Sequence, residues 1–354
     1  MKLSIEVGHP AHVHYWHPVR QALLSRGHDV VVFARGKETT FALLRRLEIP
    51  FIPTGRNYPT LVGKGVGMLH NSYRVLLEAA RNQVNLMLSG GMPYSAQASA
   101  VLGIPHLAII DTEHAKITLA ATLPFTDVVC TPACFKGSLG RTKHVRFQGY
   151  VESMYLRPEY FQPRKDLLEH LGLKAGDPVS VVRFSSWDAS HDLHAPPTGL
   201  ETTEGKERLV RELSEFGPVF LSSEVPLPPS LTPYANPAPL EDAHSLLAYA
   251  SLYCGEGAKM AAEAGILGTP WIYISPVGRS YLDEQETRYG LGRTVSRLAP
   301  AIDQARDWLE GGGAKPAWAE KRLRLLSSTV DVTQVVVHEI ENLMGARYRS
   351  QRGG

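Results

Sequence analysis

The chain is poor in the features that mark several large classes of protein. Its three cysteines, Cys130, Cys134 and Cys254, form no CxxC pair, and their odd number argues against a disulfide scaffold. Cys130 and Cys134 would share a face only in a helix, which Pro132 disfavours. A metal site built on them is not expected. No stretch reaches 18 uncharged apolar residues, and the first residues alternate like a strand rather than a signal peptide. The expectation is a soluble, cytoplasmic protein, with contact to a membrane surface through a patch left open. Net charge is only +2, so composition offers no argument for nucleic-acid binding. GxGxxG is missing, and with it the dinucleotide fingerprint; no DxD stands at a strand end as a metal site. No cofactor is expected.

What the chain does have is 354 residues with 44% hydrophobic content, enough for two domains. Its organising stretch is Cys254 to Pro276. A short apolar run ending near Tyr253 leads into the small-residue turn Gly255-Glu256-Gly257. Ala258 to Leu267 has helical composition, Gly268-Thr-Pro270 stops it, and Trp271 to Ile274 reads as the next buried strand. This is a βαβ unit. Its turn is expected to leave backbone N–H groups at a helix N-terminus, with Lys259 in the first turn, an arrangement that suits phosphate. Glu263 lies six residues after Gly257, so it can point back toward the same mouth and accept hydrogen bonds from ribose hydroxyls. An ordinary α/β turn with a surface glutamate would account for the same residues.

The N-terminal half repeats the alternation. Leu3 to Val7 is a strand, Gly8-His-Pro-Ala-His-Val-His-Tyr-Trp-His-Pro18 a histidine-rich loop, and Val19 to Ser25 a helix stopped by Gly27. A loop at the carboxyl end of the first strand is where open α/β sheets place ligands. One or two of His9, His12, His14 and His17 are expected to face a cleft; no carboxylate or cysteine accompanies them at zinc spacing. Thr54 to His70, with glycines at 55, 63, 65 and 67, reads as a mobile loop. After the strand His106 to Ile110 come Asp111-Thr-Glu-His-Ala-Lys116, a second candidate constellation in Asp111 and Glu113. A helix cap with charged first-turn residues explains those equally.

In the C-terminal half the valine-rich strand Pro178 to Phe184 runs into Ser185-Ser-Trp-Asp-Ala-Ser-His-Asp192. Arg183 with Ser185 puts a cation and a donor at a strand end, a composition that suits phosphate or a solvated loop. Asp283 begins a helix close to where a nucleotide on the glycine turn would lie. The expected divisions are 1–160, 161–326, a helix over 327–346 crossing back to the first domain, and a disordered tail over 347–354.

Two α/β domains with glycine-rich turns are similar to the GT-B architecture, two Rossmann-like domains facing a central cleft. The unit Gly257-Ala-Lys-Met-Ala-Ala-Glu263 with Gly268-Thr-Pro270 resembles the nucleotide-sugar motif of the lipid-II-forming N-acetylglucosaminyltransferases and the matching part of the UDP-N-acetylglucosamine 2-epimerases. In those proteins the glutamate matching Glu263 holds ribose, and the turn matching Gly255 to Gly257 faces phosphates. The opening Gly8-His-Pro-Ala-His-Val-His is similar to the transferases' first loop, with Pro10 and Ala11 in place of glycines. Ile104 to His114 resembles an epimerase stretch that carries a catalytic-region glutamate, but Ser89-Gly-Gly91 stands where the epimerases have an acidic residue. Over roughly residues 1 to 345 the chain resembles a family of unknown function in the GT-B superfamily.

The resemblance implies a metal-independent, inverting glycosyltransferase that moves a sugar from a nucleotide diphosphate sugar to a hydroxyl acceptor. It also admits a 2-epimerase-like epimerase or hydrolase, or a nucleotide-sugar-binding subunit without chemistry. His12 is the first candidate for the base and Asp111 or Glu113 the second, because histidine is neutral and basic near pH 7. Gly8, Arg183, Ser185, Gly255, Glu256, Gly257, Lys259, Glu263 and Asp283 are the expected donor contacts. Base, sugar, acceptor and oligomeric state stay open.

Overall fold

The computed structural model describes the chain except residues 38, 57–60, 114, 141, 175, 186–195, 224–225, 311–313 and 353–354; at 56, 61–66, 314–315 and 346–352 the backbone alone is described. It divides into two compact units, Met1–Tyr155 with Val330–Gly354, and Leu156–Thr329. Among the described residues no helix is long and apolar enough to cross a membrane.

The first unit is built from β1 (Lys2–Val7), α1 (Pro10–Ser25), β2 (Asp29–Gly36), α2 (Thr40–Arg46), β3 (Ile52–Arg56), α3 (Leu61–Arg81), β4 (Leu86–Ser89), α4 (Pro93–Leu102), β5 (His106–Ile109), α5 (Lys116–Thr122), β6 (Val128–Pro132), β7 (Lys143–Phe147) and α6 (Ser153–Leu156). The strands form one parallel sheet in the order β3-β2-β1-β4-β5-β6-β7. Leu3 to Val7 are all buried, as a central strand covered on both faces requires. Ile5 sits level with Val32 on one side and Leu88 on the other. Phe33, Val75, Ala79, Met87 and Tyr94 form one core cluster, and Ala108, Val129, Phe135 and Leu139 another.

The second unit continues with α7 (Leu167–His170), β8 (Ser180–Phe184), α8 (Thr203–Ser214), β9 (Val219–Ser223), α9 (Ala243–Tyr249), β10 (Leu252–Gly255), α10 (Ala258–Leu267), β11 (Trp271–Ile274), α11 (Ser280–Glu284), β12 (Gly292–Val295), α12 (Leu298–Glu310) and α13 (Ala314–Ser328). Its parallel sheet has the order β12-β11-β10-β8-β9. Val182, Phe184, Leu209, Leu221, Cys254, Ile272, Leu298 and Ile302 meet in its core. Gly268 ends α10 in the left-handed conformation, φ 82°, while Thr269 N–H returns to the carbonyl of Ala264. The last helix, α14 (Val332–Arg352), packs on α1 of the first unit.

Three expectations about local structure are corrected. The histidine-rich stretch is not a loop: α1 begins at Pro10, a residue whose fixed φ and missing N–H suit a first helical position. The stretch from 54 to 70 is not one loop either, because its glycines from 63 onward lie in α3, which starts at Leu61; 57–60 fall outside the described residues. Val75 and Ala79 anchor that helix in the core. The expected disordered tail is helical through Arg352.

Candidate functional site

In the second unit the chain leaves β8 for β9 on one side and returns to β10 on the other. The strand order reverses there, and doubly wound sheets take ligands beyond the carboxyl ends of such a pair. Those ends are Arg183 to Ser185 and Gly255 to Gly257. Gly255 stands level with Arg183, and at φ 153° its missing Cβ leaves room for the Arg183 carbonyl oxygen. Any side chain would strike that backbone. Glu256 N–H donates to the same carbonyl at 3.0 Å, and its buried carboxylate accepts Ser185 N–H at 3.1 Å. Glu256 therefore ties the two strand ends together.

Gly257 is the N-cap of α10, and Tyr253 holds it on both sides. Gly257 N–H donates to the phenol oxygen at 3.1 Å, and the phenol O–H donates to the Gly257 carbonyl at 2.9 Å. Burial raises the Tyr253 pKa well above its ordinary value, with Arg183 opposing. These bonds correct the expectation that the turn leaves its N–H groups unbonded: those of Glu256 and Gly257 are both spent inside the protein. What remains is the first turn of α10, whose N–H groups have no acceptor within the helix. Arg183 crosses the turn, its Cδ 2.9 Å from where a Gly257 Cβ would stand, and Lys259 is half-buried in that first turn. Two cations and a helix N-terminus in one place suit an anion. Residues 186–190, which include Ser186 and Ser190, lie outside the described residues.

Glu263 is buried within α10, with Oε1 3.3 Å from Nε2 of His244 on α9. The rings of Phe161 and His244 meet nearly at right angles, centroids 6.1 Å apart. Asp283 is half-buried on α11, which packs against α10.

The first unit reverses its strand order between β1 and β4. Gly8 is buried there; a Cβ on it would lie 2.9 Å from Met92 Cε and 3.3 Å from Arg35 Nη2. Arg35 donates to the Gly8 carbonyl at 3.3 Å and to the Tyr94 hydroxyl at 2.9 Å. His12, in the first turn of α1, accepts the Gly8 N–H at Nδ1, 3.4 Å away. Its ring lies 5.4 Å from that of Tyr15, and both crowd Gly90, where a Cβ would come within 2.7 Å of His12 Cε1. The other histidines have separate tasks. His9 caps α1 by accepting Ala11 N–H at 3.1 Å, and His14 stacks on Tyr155 at 5.6 Å. Burial, with Arg20 nearby, lowers the His17 pKa.

Asp111 and Glu113 follow β5, two strands from β1, so strand spacing alone sets those ends about 10 Å apart. Asp111 accepts the Thr112 hydroxyl at 3.0 Å, and Glu113 accepts Lys136 N–H at 3.0 Å. Glu113 thus anchors the turn after β6, and His114 falls outside the described residues.

Several contributors escaped sequence reasoning. Tyr253 and His244 act through contacts that no local motif announces. Glu6, fully enclosed in β1, accepts Ser95 N–H at 2.9 Å and so caps α4, whose own N-cap Met92 makes no side-chain bond. Burial pushes the Glu6 pKa up, while Ser95 and Arg35 oppose the rise. Among the described residues no three of His, Cys, Asp and Glu are grouped to hold a metal ion.

The fold has many solved relatives. The UDP-GlcNAc 2-epimerase from Neisseria meningitidis bound to UDP-GlcNAc superposes with a TM-score of 0.68 at 10% identity, covering 97% of this chain and 100% of that one. Acinetobacter baumannii MurG gives 0.57 at 17% identity, over 97% and 100%. The Streptomyces sp. SF2575 glycosyltransferase SsfS6 complexed with thymidine diphosphate gives 0.57 at 17% identity, over 95% and 99%. At such identities the likeness shows the fold, the two Rossmann-like domains of GT-B proteins. No curated protein matches the chain. The family described as "Protein of unknown function (DUF354)" matches residues 1–195, more than half of the chain, and the chain belongs to that family.

Proposed function

We propose that the chain is a glycosyltransferase that moves a sugar from a nucleotide diphosphate sugar to a hydroxyl acceptor, with inversion. The observation that carries the reading is the β8/β10 switch point, where α10 starts between Arg183 and Lys259 with the buried Glu263 behind it. The diphosphate lies at the first turn of α10 beside Arg183, which offsets the charge that grows on the leaving group. Glu263 accepts the ribose hydroxyls, with its carboxylate held by His244. Ser185 and Glu256 keep the strand ends in register, Gly255 and Gly257 let the backbone come close, and Asp283 borders the nucleotide. In the first unit, beside Gly8, His12 takes the acceptor proton, with Asp111 or Glu113 as the alternative base. Solved relatives that bind UDP-GlcNAc or thymidine diphosphate support a nucleotide-sugar ligand.

The epimerase likeness supports a second reading, epimerisation or hydrolysis of the same donor. Incubation with a panel of nucleotide sugars, with and without acceptor extracts, separates the two. Sugar transfer that requires an acceptor is the expected result. An epimer or released sugar formed without acceptor would move the assignment to the second reading. Saturable binding with no product under either condition would leave a binding subunit.

A further inference from the structure

The two bonds between Tyr253 and Gly257 have a consequence for the phosphate end of the proposed donor. Gly257 is an N-cap without a side chain, so it cannot cap its own helix. The phenol of Tyr253 does so from the preceding strand, accepting the Gly257 N–H and donating to the Gly257 carbonyl. That carbonyl also accepts Ala261 N–H, at 3.0 Å, the first bond of α10.

A peptide group is planar and trans, so its N–H points opposite to its C=O. Fixing the Gly257 carbonyl therefore fixes the direction of the Ala258 N–H, which belongs to the same plane and starts the row of donors at the helix N-terminus. Two bonds from one ring with no solvent exposure set the peptide planes on both sides of Gly257. The fit leaves no space for a side chain there: a Cβ on Gly257 would stand 2.8 Å from the phenol oxygen.

We infer that Tyr253 is a positioning residue for the donor diphosphate, acting through Gly257 to aim the first N–H groups of α10 at the phosphates. The inference rests on the nucleotide-sugar reading of this site. It distinguishes the phosphate end of the ligand, which the turn would hold, from the nucleoside end, which it would not.

The test compares each ligand with its own nucleoside. UDP, dTDP, GDP, ADP and CDP are titrated calorimetrically into the full chain, and the best binder is paired with its nucleoside. Tyr253→Phe is expected to weaken the diphosphate about tenfold and the nucleoside less than about twofold, since two hydrogen bonds are lost at the phosphate end alone. Gly257→Ala drives a methyl group against both the phenol and the Arg183 side chain and is expected to give at least the same selective loss; unchanged diphosphate affinity in that variant overturns the role if Tyr253→Phe does not fold. Equal losses for both ligands, or a lower Tm with both affinities unchanged, would overturn the positioning role while leaving the nucleotide site standing. A wild type that binds no member of the panel would remove the nucleotide-sugar reading, and this inference with it.

Discussion

His244 Nε2 lies 3.3 Å from Glu263 Oε1, and the two residues are 7% and 6% exposed. A carboxylate enclosed to that degree is costly unless it is partnered, and the imidazole supplies the partner. Glu263→Ala is expected to weaken nucleotide binding about tenfold or more, the worth of a charge-assisted hydrogen bond to ribose. His244→Ala should fall between that variant and the wild type, because the carboxylate stays but loses its orientation. Calorimetric titration with UDP and related diphosphates reads both. Undiminished affinity in a folded Glu263→Ala protein would end the ribose assignment.

His12 receives the Gly8 N–H at Nδ1, so the neutral ring in this geometry carries its proton on Nε2. To act as a base at Nε2 it must move its proton to Nδ1 and give up the Gly8 contact. His12→Gln is expected to lower kcat by roughly 10²–10⁴ with nucleotide affinity nearly intact. A base makes wild-type activity fall as pH is lowered through the histidine range; a neutral ring that only donates from Nε2 keeps that proton, and activity then does not fall as pH is raised. Parallel kinetics on His9, His14 and His17 variants locate the role, and near-wild-type turnover in His12→Gln removes it from that residue.

His106 gives the first unit a pH-dependent stability. Enclosed between the hydroxyls of Ser89 and Thr126, each at 3.0 Å, it has its pKa lowered by burial from 6.5 to about 3. The folded state therefore binds this proton less readily than the unfolded state does. The contribution is full above the unfolded value and is lost as pH falls from about 6.5 toward 3, a difference on the order of 5 kcal/mol at about 1.4 kcal/mol per pH unit. Thermal melts from pH 7 to pH 4 should show a smaller loss of Tm for His106→Gln than for the wild type. Parallel curves would mean that His106 does not set the acid limit.

Gly255→Ala tests the close approach of β10 and β8. A methyl group at φ 153° would be driven into the Arg183 carbonyl and come 2.9 Å from its nitrogen. The Arg183 backbone in the neighbouring strand leaves little room to yield, so a loss of about 2–4 kcal/mol is expected by chemical denaturation. Gly27→Ala, with nothing within 4 Å of the new methyl, should cost less. Equal costs would show that β10 and β8 part readily at this end.

The buried strands were legible because each is a short apolar run closed by turn residues, as in Trp271 to Ile274 before Ser275-Pro276. The helix of Ala258 to Leu267 was legible for a similar reason: Gly257 and Gly268 bracket it. Residues 10–18 depart from the loop expected of them: Pro18 sits inside α1, while Trp16, Val19 and Leu23 are buried around it. Core contacts outweigh one lost backbone bond there. In α3, glycine content suggested a loop, and packing through Val75 and Ala79 overrode propensity. The candidate site was legible in its glycines and cations, not in its bracing. Tyr253 reaches Gly257 through a strand-to-turn bend, and His244 meets Glu263 across two helices, relationships that exist only after folding.

The closing of the first unit by α14 sets a timetable for the chain's birth. Thr333 donates to the Met154 carbonyl, Arg26 pairs with Glu341, and Lys143 pairs with Glu339, so α14 is tied to segments that lie before the inserted second unit. About 170 residues, 156 to 329, must be translated between those segments and α14. At roughly 5–20 residues per second that is an interval of about 10–35 s. During it the flank of α1 that α14 will cover lacks that partner. The inserted unit is continuous in sequence, whereas the unit around it cannot complete its packing until α14 has been made.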